Sequence, residues 1–404
     1  HQFSEPGRPD DTIAPEDAQV GEHLEQAGFA PDTLDAARGI LQRWDTNRLR
    51  ALRSDRARML LHRLLPGILR EIGARRDPLT VLRRFDTLLE RQWAGVQFLS
   101  LLERNPALVR RIMTVLDCSA FLANHLAQAP SALDGLLDAS TIEAADDTAR
   151  AAVLLVRQHV AQAMGPERLL PVLRGLVCGE EFRLSVARLE HRMTEDRTAR
   201  VRTAMADAVM RGLLRTVMTE HRARHGHVPG GAMAVVAMGK AGSREMMPGS
   251  DLDLMLVFDH PDDVMESVVP RTRRATGAPV ARPLGAGTYY VRLAHAFIAT
   301  LTAPGAEGPL YEADMRLRPS GSKGPVAVSL SSFRRYHAES AWTWERMALT
   351  RARIIAGAPA MAERLRAAID TALDGTSGNA RALHADALRA DVCSMRARLM
   401  RDLP

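Results

Sequence analysis

From about residue 15 to about residue 225 the apolar positions recur with the period of an α-helix. Leu61, Leu64, Leu65, Ile68, Leu69 and Ile72 form one such stripe, because side chains three and four apart share a face of a 3.6-residue turn. Asp77-Pro78 supplies an N-cap and a first-turn proline for a helix carrying Val81, Leu82, Phe85, Leu88 and Leu89. Asn105-Pro106 starts another, with Val109, Ile112, Met113 and Leu116 inward, and the stretches 151–172 and 183–224 continue the style. Charges such as Arg197, Arg200 and Arg202 read as solvated faces of these helices. No internal repeat of fixed period is evident. Residues 1–14, rich in Pro and Asp, read as a flexible tail.

The pattern changes at Val228-Pro229-Gly230-Gly231. Ala232 to Met238 is a short apolar run ending at Gly239, and Leu252 to Phe258 is a second, interrupted only by Asp253. Both predict buried strands. A disordered loop is expected from Pro261 to Gly287, bearing Arg271, Arg273, Arg274 and Arg282. Tyr290 to Leu301 then predicts a helix, Pro309 to Leu317 a third strand, and Val326 to Val328 a fourth, with Ser331 or Ser332 capping the next helix. Trp344 to Ala356 predicts another helix, and the remainder is helical. The expectation is an α+β fold: a small mixed sheet at 226–357, a helical linking or recognition region at 15–225, and the start of a further helical region at 358–404. On this division a chain beginning near Arg224 keeps whatever chemistry the sheet carries.

Composition narrows the classes. Of 54 basic residues only Lys240 and Lys323 are lysines, and each lies beside glycine. Elsewhere arginine is the default, so a retained compact ammonium suits a phosphate, unless its retention is chance. The net charge of +6 raises nucleic acid as a partner. Scattered charges and a 4% aromatic share supply neither a basic run nor a stacking platform, so no nucleic acid partner is expected. Cys118, Cys178 and Cys393 match no disulfide or metal spacing, which predicts buried, inert thiols and a cytoplasmic setting. No run of eighteen apolar residues calls for a membrane. The chain opens on His1 and stops at Pro404 inside a helical pattern, as a piece of a longer protein would.

The chemistry concentrates in two segments. Asp251 and Asp253, spaced i, i+2, share one face if the strand forms, and two like charges so close are costly without a cation. The alternative is a solvated strand edge. Tyr311 to Arg318 places Asp314, Arg316 and Arg318 on one face of the third strand. If that strand lies beside the second, Asp314 completes a three-carboxylate cluster. Such clusters hold two divalent ions roughly 3.5–4 Å apart for phosphoryl chemistry. Arg316 and Arg318 would flank phosphates, or form an ion-pair ladder with Glu312 and Asp314. Upstream, Gly242-Ser243 at a loop-to-helix junction can offer N–H groups and a hydroxyl to terminal phosphates. Neither GxxxxGK[ST] nor a GxGxxG opening a helix is present.

The spacing Gly242-Ser243, Asp251-Leu252-Asp253 and a later Asp314 resembles the nucleotidyltransferase superfamily typified by DNA polymerase β. Within it, GKAGSRE, GSDLDL, LYEADMRLRPSG and AWTWERMALTRAR resemble the bifunctional glutamine synthetase adenylyltransferase/adenylyl-removing enzymes. The likeness extends into the helical half through RFDTLLERQWAGVQFLSLLERNPAL. LRPSGSKG followed by AWTWE is more similar to the C-terminal, adenylylating half of that family. The chain departs in having Ala241-Gly242-Ser243 where the family usually has Leu-Gly-Gly, and the family implies a further helical segment after Pro404. The resemblance implies a polymerase-β-like fold, with Asp251, Asp253 and Asp314 as catalytic residues and ligands for two Mg²⁺. Lys240, Gly242, Ser243, Ser250, Arg316, Arg318 and Lys323 are then nucleotide-binding.

It further implies ATP-dependent adenylylation of a tyrosine on glutamine synthetase, with Asp314 and metal assisting deprotonation. The PII signalling protein and glutamine are the implied effectors. Two alternatives stay open: phosphorolytic removal of that AMP, which needs the same carboxylates, and a nucleotide-sensing module without turnover. Lesser candidates have structural readings: His295 and His337 as packed or surface histidines, Trp342 and Trp344 as core, and Glu345, Arg351 and Arg353 as mutual ion pairs.

Overall fold

The computed structural model describes residues 17–45, 49–128, 132–133, 136, 145–162, 165–269, 282–305, 308–374 and 385–402. The predicted tail, and Arg271, Arg273 and Arg274 of the predicted loop, lie outside the described residues. The chain divides into two compact units, residues 1–142 with 182–190, and residues 143–181 with 191–404. The unit that contains the sheet therefore includes long helices well before residue 226, where the hydrophobic pattern changes.

The first unit holds α1 (Asp17–Gln26), α2 (Leu34–Asp45), α3 (Asp55–Gly73), α4 (Pro78–Arg91), α5 (Gly95–Arg104), α6 (Pro106–Cys118) and α7 (Ala120–Gln128). Leu61, Leu65, Ile68, Leu69 and Ile72 of the α3 stripe are buried as its period predicts, together with Trp44, Leu82, Phe85, Leu88 and Leu89, while Leu64 is partly buried. Asp77 caps α4, its Oδ1 accepting from the Thr80 amide at 3.1 Å, so one orphan N–H of the first turn is satisfied. Asn105 acts differently. Its Nδ2 donates back to the Leu101 carbonyl at 2.9 Å and closes α5, while Pro106 opens α6.

The second unit contains α8 (Ala145–Gln162), the greater part of α9 (Pro166–Leu189), and the 31-residue α10 (Glu195–His225). Next come β1 (Ala232–Ala237), the short α11 (Gly239–Ser243), β2 (Leu252–Asp259), α12 (Ala286–Leu301), β3 (Ala313–Asp314) and β4 (Ala327–Ser329). The unit closes with α13 (Leu330–Glu339), α14 (Thr343–Leu349), β5 (Arg353–Ala356), α15 (Pro359–Asp374) and α16 (Ala385–Asp402). The sheet is mixed: β2 is antiparallel to β1 and parallel to β3 and β4, and β5 closes the other edge of β1.

The uninterrupted apolar character of β1 and β2 follows from burial on both faces. Val235, Ala237, Leu254 and Leu256 pack with Met205, Val209, Leu213 and Leu214 of α10 and Leu293 and Phe297 of α12. Ala234, Val236, Met255 and Val257 pack instead with Phe333 of α13 and Met361, Leu365 and Ile369 of α15. The α+β fold with a small mixed sheet is as read from the sequence.

Several local expectations are corrected. The helix predicted from Trp344 to Ala356 ends at Leu349, and Arg353–Ala356 form β5. The β-branched Ile354-Ile355 pair prefers a pleated edge beside β1 over another helical turn. The strand predicted from Pro309 to Leu317 pairs only at Ala313–Asp314 and turns from residue 316. The cap of α13 is Ser329, whose Oγ accepts from the Ser332 amide at 3.1 Å, not Ser331 or Ser332. Cys118 and Cys393 are exposed, not buried, and Cys178 is intermediate. No described helix is long and apolar enough to cross a membrane.

Candidate active site

Because β1 and β2 are antiparallel, the C-terminal end of β1 and the N-terminal end of β2 meet at one end of the sheet. The Met238 amide donates to the Asp253 carbonyl at 2.8 Å, and α11 starts at the next residue. On the other side of β2, β3 runs parallel in a register that pairs Leu252 with Ala313 and Asp253 with Asp314. The Leu252 amide donates to the Glu312 carbonyl at 2.9 Å and fixes that register. Asp251 is exposed one residue before β2 begins. The two distant acidic motifs therefore converge, as the sequence suggested they would if the strands were neighbours.

The electrostatics record this convergence. Asp253 is half-buried, and its carboxyl is pushed above its ordinary value of 3.8, first by burial, then by the charges of Asp314 and Asp251. Arg316 and Lys240 partly offset the rise. Asp314 moves the other way: the Arg316 side chain beside it holds its carboxyl low against a smaller opposing effect of burial. Arg316 Nε donates to Asp314 Oδ2 at 2.7 Å, its Nη2 reaches the same oxygen, and its amide donates to Asp314 Oδ1 at 2.8 Å. One acidic member of the trio is thus compensated by a guanidinium, while Asp253 faces like charges.

Donor chemistry fits a hard divalent cation. Carboxylate oxygens are what Mg²⁺ prefers, and Asp253 is short of positive charge. Among the described residues, however, no three acidic, histidine or cysteine side chains are gathered tightly enough to hold a metal. Asp314 is turned to Arg316, an exposed side chain that can be exchanged for another cation.

Glycine matters here at two positions. Gly239 adopts φ +50°, and a Cβ there would fall 2.0 Å from Asp253 Oδ2, so only glycine lets the chain leave β1 across that carboxylate. In the sequence Gly239 marks the end of the first apolar run and the neighbour of Lys240. A strand running straight into Gly-Lys was the available signal. At Gly242 a Cβ would lie 1.9 Å from the Arg351 carbonyl. The Gly242 N–H donates to the Met238 carbonyl at 2.7 Å.

Gly242-Ser243 accordingly sits at the C-terminal end of α11, not at the start of a helix, and the Gly242 amide is already committed. Ser243 Oγ lies 3.1 Å from the Gly239 carbonyl and 2.9 Å from Glu245 Oε2. Ser250 Oγ accepts from the Met247 amide at 2.9 Å and shapes the turn into β2.

The arginines predicted to share a face separate. Arg316 stays with Asp314, but Arg318 is buried, and its guanidinium donates to the carbonyls of Met315 (2.6 Å), Pro325 (2.9 Å) and Gly324 (3.0 Å). The strand that would have aligned them ends at Asp314. Arg318 braces the turn that presents Lys323, which is exposed at the end of the one-turn helix Gly321–Lys323. Lys240 is likewise exposed, close enough for its charge to act on Asp253.

The lesser candidates resolve separately. His295 is exposed, and Glu345 accepts from the Tyr336 hydroxyl at 2.8 Å and the Trp342 amide at 2.9 Å. His337 is buried, and its pKa is pushed down to about 4 by burial and then by the Arg346 charge. Trp342 and Trp344 are exposed, against the expectation of core. Arg351 pairs loosely with Glu245 at 3.7 Å. Arg353 reaches α10, a contact the sequence did not reveal: its Nη2 donates to Asp207 Oδ1 at 2.9 Å.

A family model described as glutamate-ammonia ligase adenylyltransferase matches residues 109–368. The chain is 37% identical to a bifunctional glutamine synthetase adenylyltransferase/adenylyl-removing enzyme of Agrobacterium fabrum, over 90% of this chain and 35% of that protein. It is 37% identical to the Rhizobium meliloti protein of the same name over 85% of this chain and 33% of the relative. For the Xanthomonas axonopodis protein the identity is 34%, over 95% of this chain and 39% of the relative. The chain spans about a third of the length of the curated relatives it matches.

Proposed function

The chain belongs to the glutamate-ammonia ligase adenylyltransferase family, and from that premise we propose that its second unit transfers AMP from ATP to a tyrosine of glutamine synthetase. One observation carries the reading. The parallel register of β2 and β3 sets Asp253 beside Asp314, with Asp251 next in sequence, and leaves Asp253 short of positive charge.

Once Asp314 is released from Arg316, Asp251, Asp253 and Asp314 would hold Mg²⁺, which would supply charge neutralisation on the phosphates and ease ionisation of the attacking phenol. The chain's own residues do the rest. Gly239 keeps the backbone clear of the Asp253 carboxylate. Lys240 and Lys323 offer exposed ammonium groups to phosphate oxygens, and Arg316, released from Asp314, adds a third cation. A tyrosine hydroxyl with a pKa near 10 is a poor nucleophile at neutral pH. Asp314, the partly exposed member of the cluster at the end of β3, is the residue we assign to accept that proton. In the balanced reaction the phenol oxygen forms a bond to the α-phosphorus of ATP, the bond to pyrophosphate breaks, and the phenolic proton leaves.

The relatives' names also include adenylyl removal. The same carboxylates would serve phosphate attacking the tyrosyl–AMP bond, so both directions belong in one assay. Incubation with labelled ATP, Mg²⁺ and glutamine synthetase tests transfer by label on the synthetase. Release of ADP from modified synthetase with phosphate tests removal. If neither occurs while ATP still binds, the chain senses nucleotide without turnover.

A further inference from the structure

The five-residue α11 is too short to hold its shape by its own hydrogen bonds, since a helix gains stability only after a costly first turn. Its last carbonyls also lack intrahelical partners. Both needs are met by one side chain from the far edge of the sheet. Arg353, at the start of β5, donates Nη2 to the Ala241 carbonyl at 2.7 Å and Nε to the Gly242 carbonyl at 3.2 Å. The other side of the same guanidinium grips Asp207 of α10, with Nη2 2.9 Å from Oδ1 and Nη1 on Oδ2.

Asp207 is buried, and Arg211 pairs with it at 3.5 Å while donating Nε to the Ile355 carbonyl at 2.6 Å. Next to these bonds the backbone of Gly242 is pressed against the Arg351 carbonyl, leaving no space for a Cβ. α10, β5 and α11 are thus joined at one point, the carbonyls of Ala241 and Gly242 that directly follow Gly239 and Lys240 in α11.

We propose that Arg353 and Asp207 are positioning residues for nucleotide binding: the clamp sets the height and tilt of α11 and so places Gly239 and Lys240 against the triphosphate. The inference rests on the nucleotidyl-transfer reading of the site. The clamp needs a planar fork, because one group must satisfy two carbonyls and a bidentate carboxylate together. A lysine at 353 keeps the charge but has neither the geometry nor the number of donors. Neither Asp207 nor Arg353 need touch substrate, so their effect should be confined to how well the turn receives ATP.

The test compares Arg353→Lys and Asp207→Asn with Arg202→Lys in the full chain. Arg202, expected from the sequence on a solvated helix face, is instead a buried arginine of the same unit whose bidentate partner, Glu181 at 2.6 and 3.0 Å, is remote in sequence from the turn. Affinity for ATP with Mg²⁺ is measured by titration, and KM for ATP, KM for glutamine synthetase and the melting temperature are followed in parallel.

The expected result for Arg353→Lys is a loss in ATP affinity and a rise in its KM of about tenfold, the scale of losing a charge-assisted hydrogen bond. The KM for the protein substrate should be unchanged. Asp207→Asn should follow with a smaller effect, since the carbonyl bonds survive. Arg202→Lys should lower the melting temperature and leave both KM values alone. If both clamp variants bind ATP as the wild type does, or raise the two KM values together as the melting temperature falls, the clamp is only structural and the inference is overturned. If Arg353→Lys does not fold, Asp207→Asn decides by the same readouts. Failure of the wild type to bind ATP overturns the nucleotidyl reading itself, and the inference with it.

Discussion

At the residue scale the account depends on Asp253. Its carboxyl sits above the ordinary carboxylate value because burial and two neighbouring acids oppose its charge. A raised folded-state value means that the charged form is worth less in the folded chain than in the unfolded one. As pH rises from 3.8 through the raised value, this residue therefore withdraws stability. Asp314, held low by Arg316, acts in the opposite sense, and its contribution is lost as pH falls. Asp253→Asn removes the cost without changing volume. Without Mg²⁺ the variant is predicted to melt at the same temperature as the wild type or higher, with the gap widening from pH 4 to neutrality in a thermal scan. A lower melting temperature at neutral pH would mean that the Asp253 charge is paired in the fold. The Asp-x-Asp spacing made this residue legible in the sequence. The Gly239 contact was not legible, because it depends on how the backbone leaves β1.

At the element scale the chain is readable where local chemistry decides and opaque where pairing decides. Asp77-Pro78 and the stripe on α3 folded as written, since a cap and an apolar face are local matters. β3 and β5 depart from the pattern. One is two residues long, and the other lies where the periodicity predicts helix, because short strands owe their existence to the neighbour they pair with. The same strand pattern aligns Arg318 with Arg316, whereas the turn after β3 sends it to the Met315 carbonyl and to the Gly324 and Pro325 carbonyls of the Lys323 loop. That loop can be tested directly. Lys323→Ala is predicted to raise KM for ATP by about tenfold, as loss of a charge-assisted phosphate contact would. The same change at exposed Arg334 of α13 should have little effect. Lys323→Arg should recover only part, because the planar fork replaces a point charge. Equal behaviour at 323 and 334 in steady-state kinetics would reduce the lysine to surface charge.

At the scale of the whole molecule the boundary drawn from the hydrophobic pattern misplaces α10. The pattern changes near residue 226, but Met205, Val209, Leu213, Leu214 and Val217 share a core with β1, β2 and α12. Amphipathic periodicity shows that a helix has a buried face, not which element covers it. A chain beginning near Arg224, expected from sequence to keep nucleotide binding, loses that cover as well as Asp207. Each apolar side chain so exposed costs roughly 1.5–3 kcal/mol, against a total stability of about 5–15 kcal/mol. Such a chain is predicted to lose its cooperative melt, whereas one beginning at residue 143 keeps both the melt and ATP binding. Calorimetry of the two truncations separates these outcomes, and a cooperative melt from the shorter one would place α10 outside the catalytic unit.

The central claim, that the register of β2 against β3 builds a nucleotidyl-transfer site, is tested most directly by transfer of label from α-labelled ATP. The full chain and its Asp253→Asn variant are incubated with Mg²⁺ and glutamine synthetase, and the modified residue is located by mass spectrometry. The predicted result is AMP on a synthetase tyrosine with the wild type and none with the variant, which still binds ATP weakly and melts no lower. Equal labelling by both proteins would contradict the assignment of Asp253 and, with it, the site.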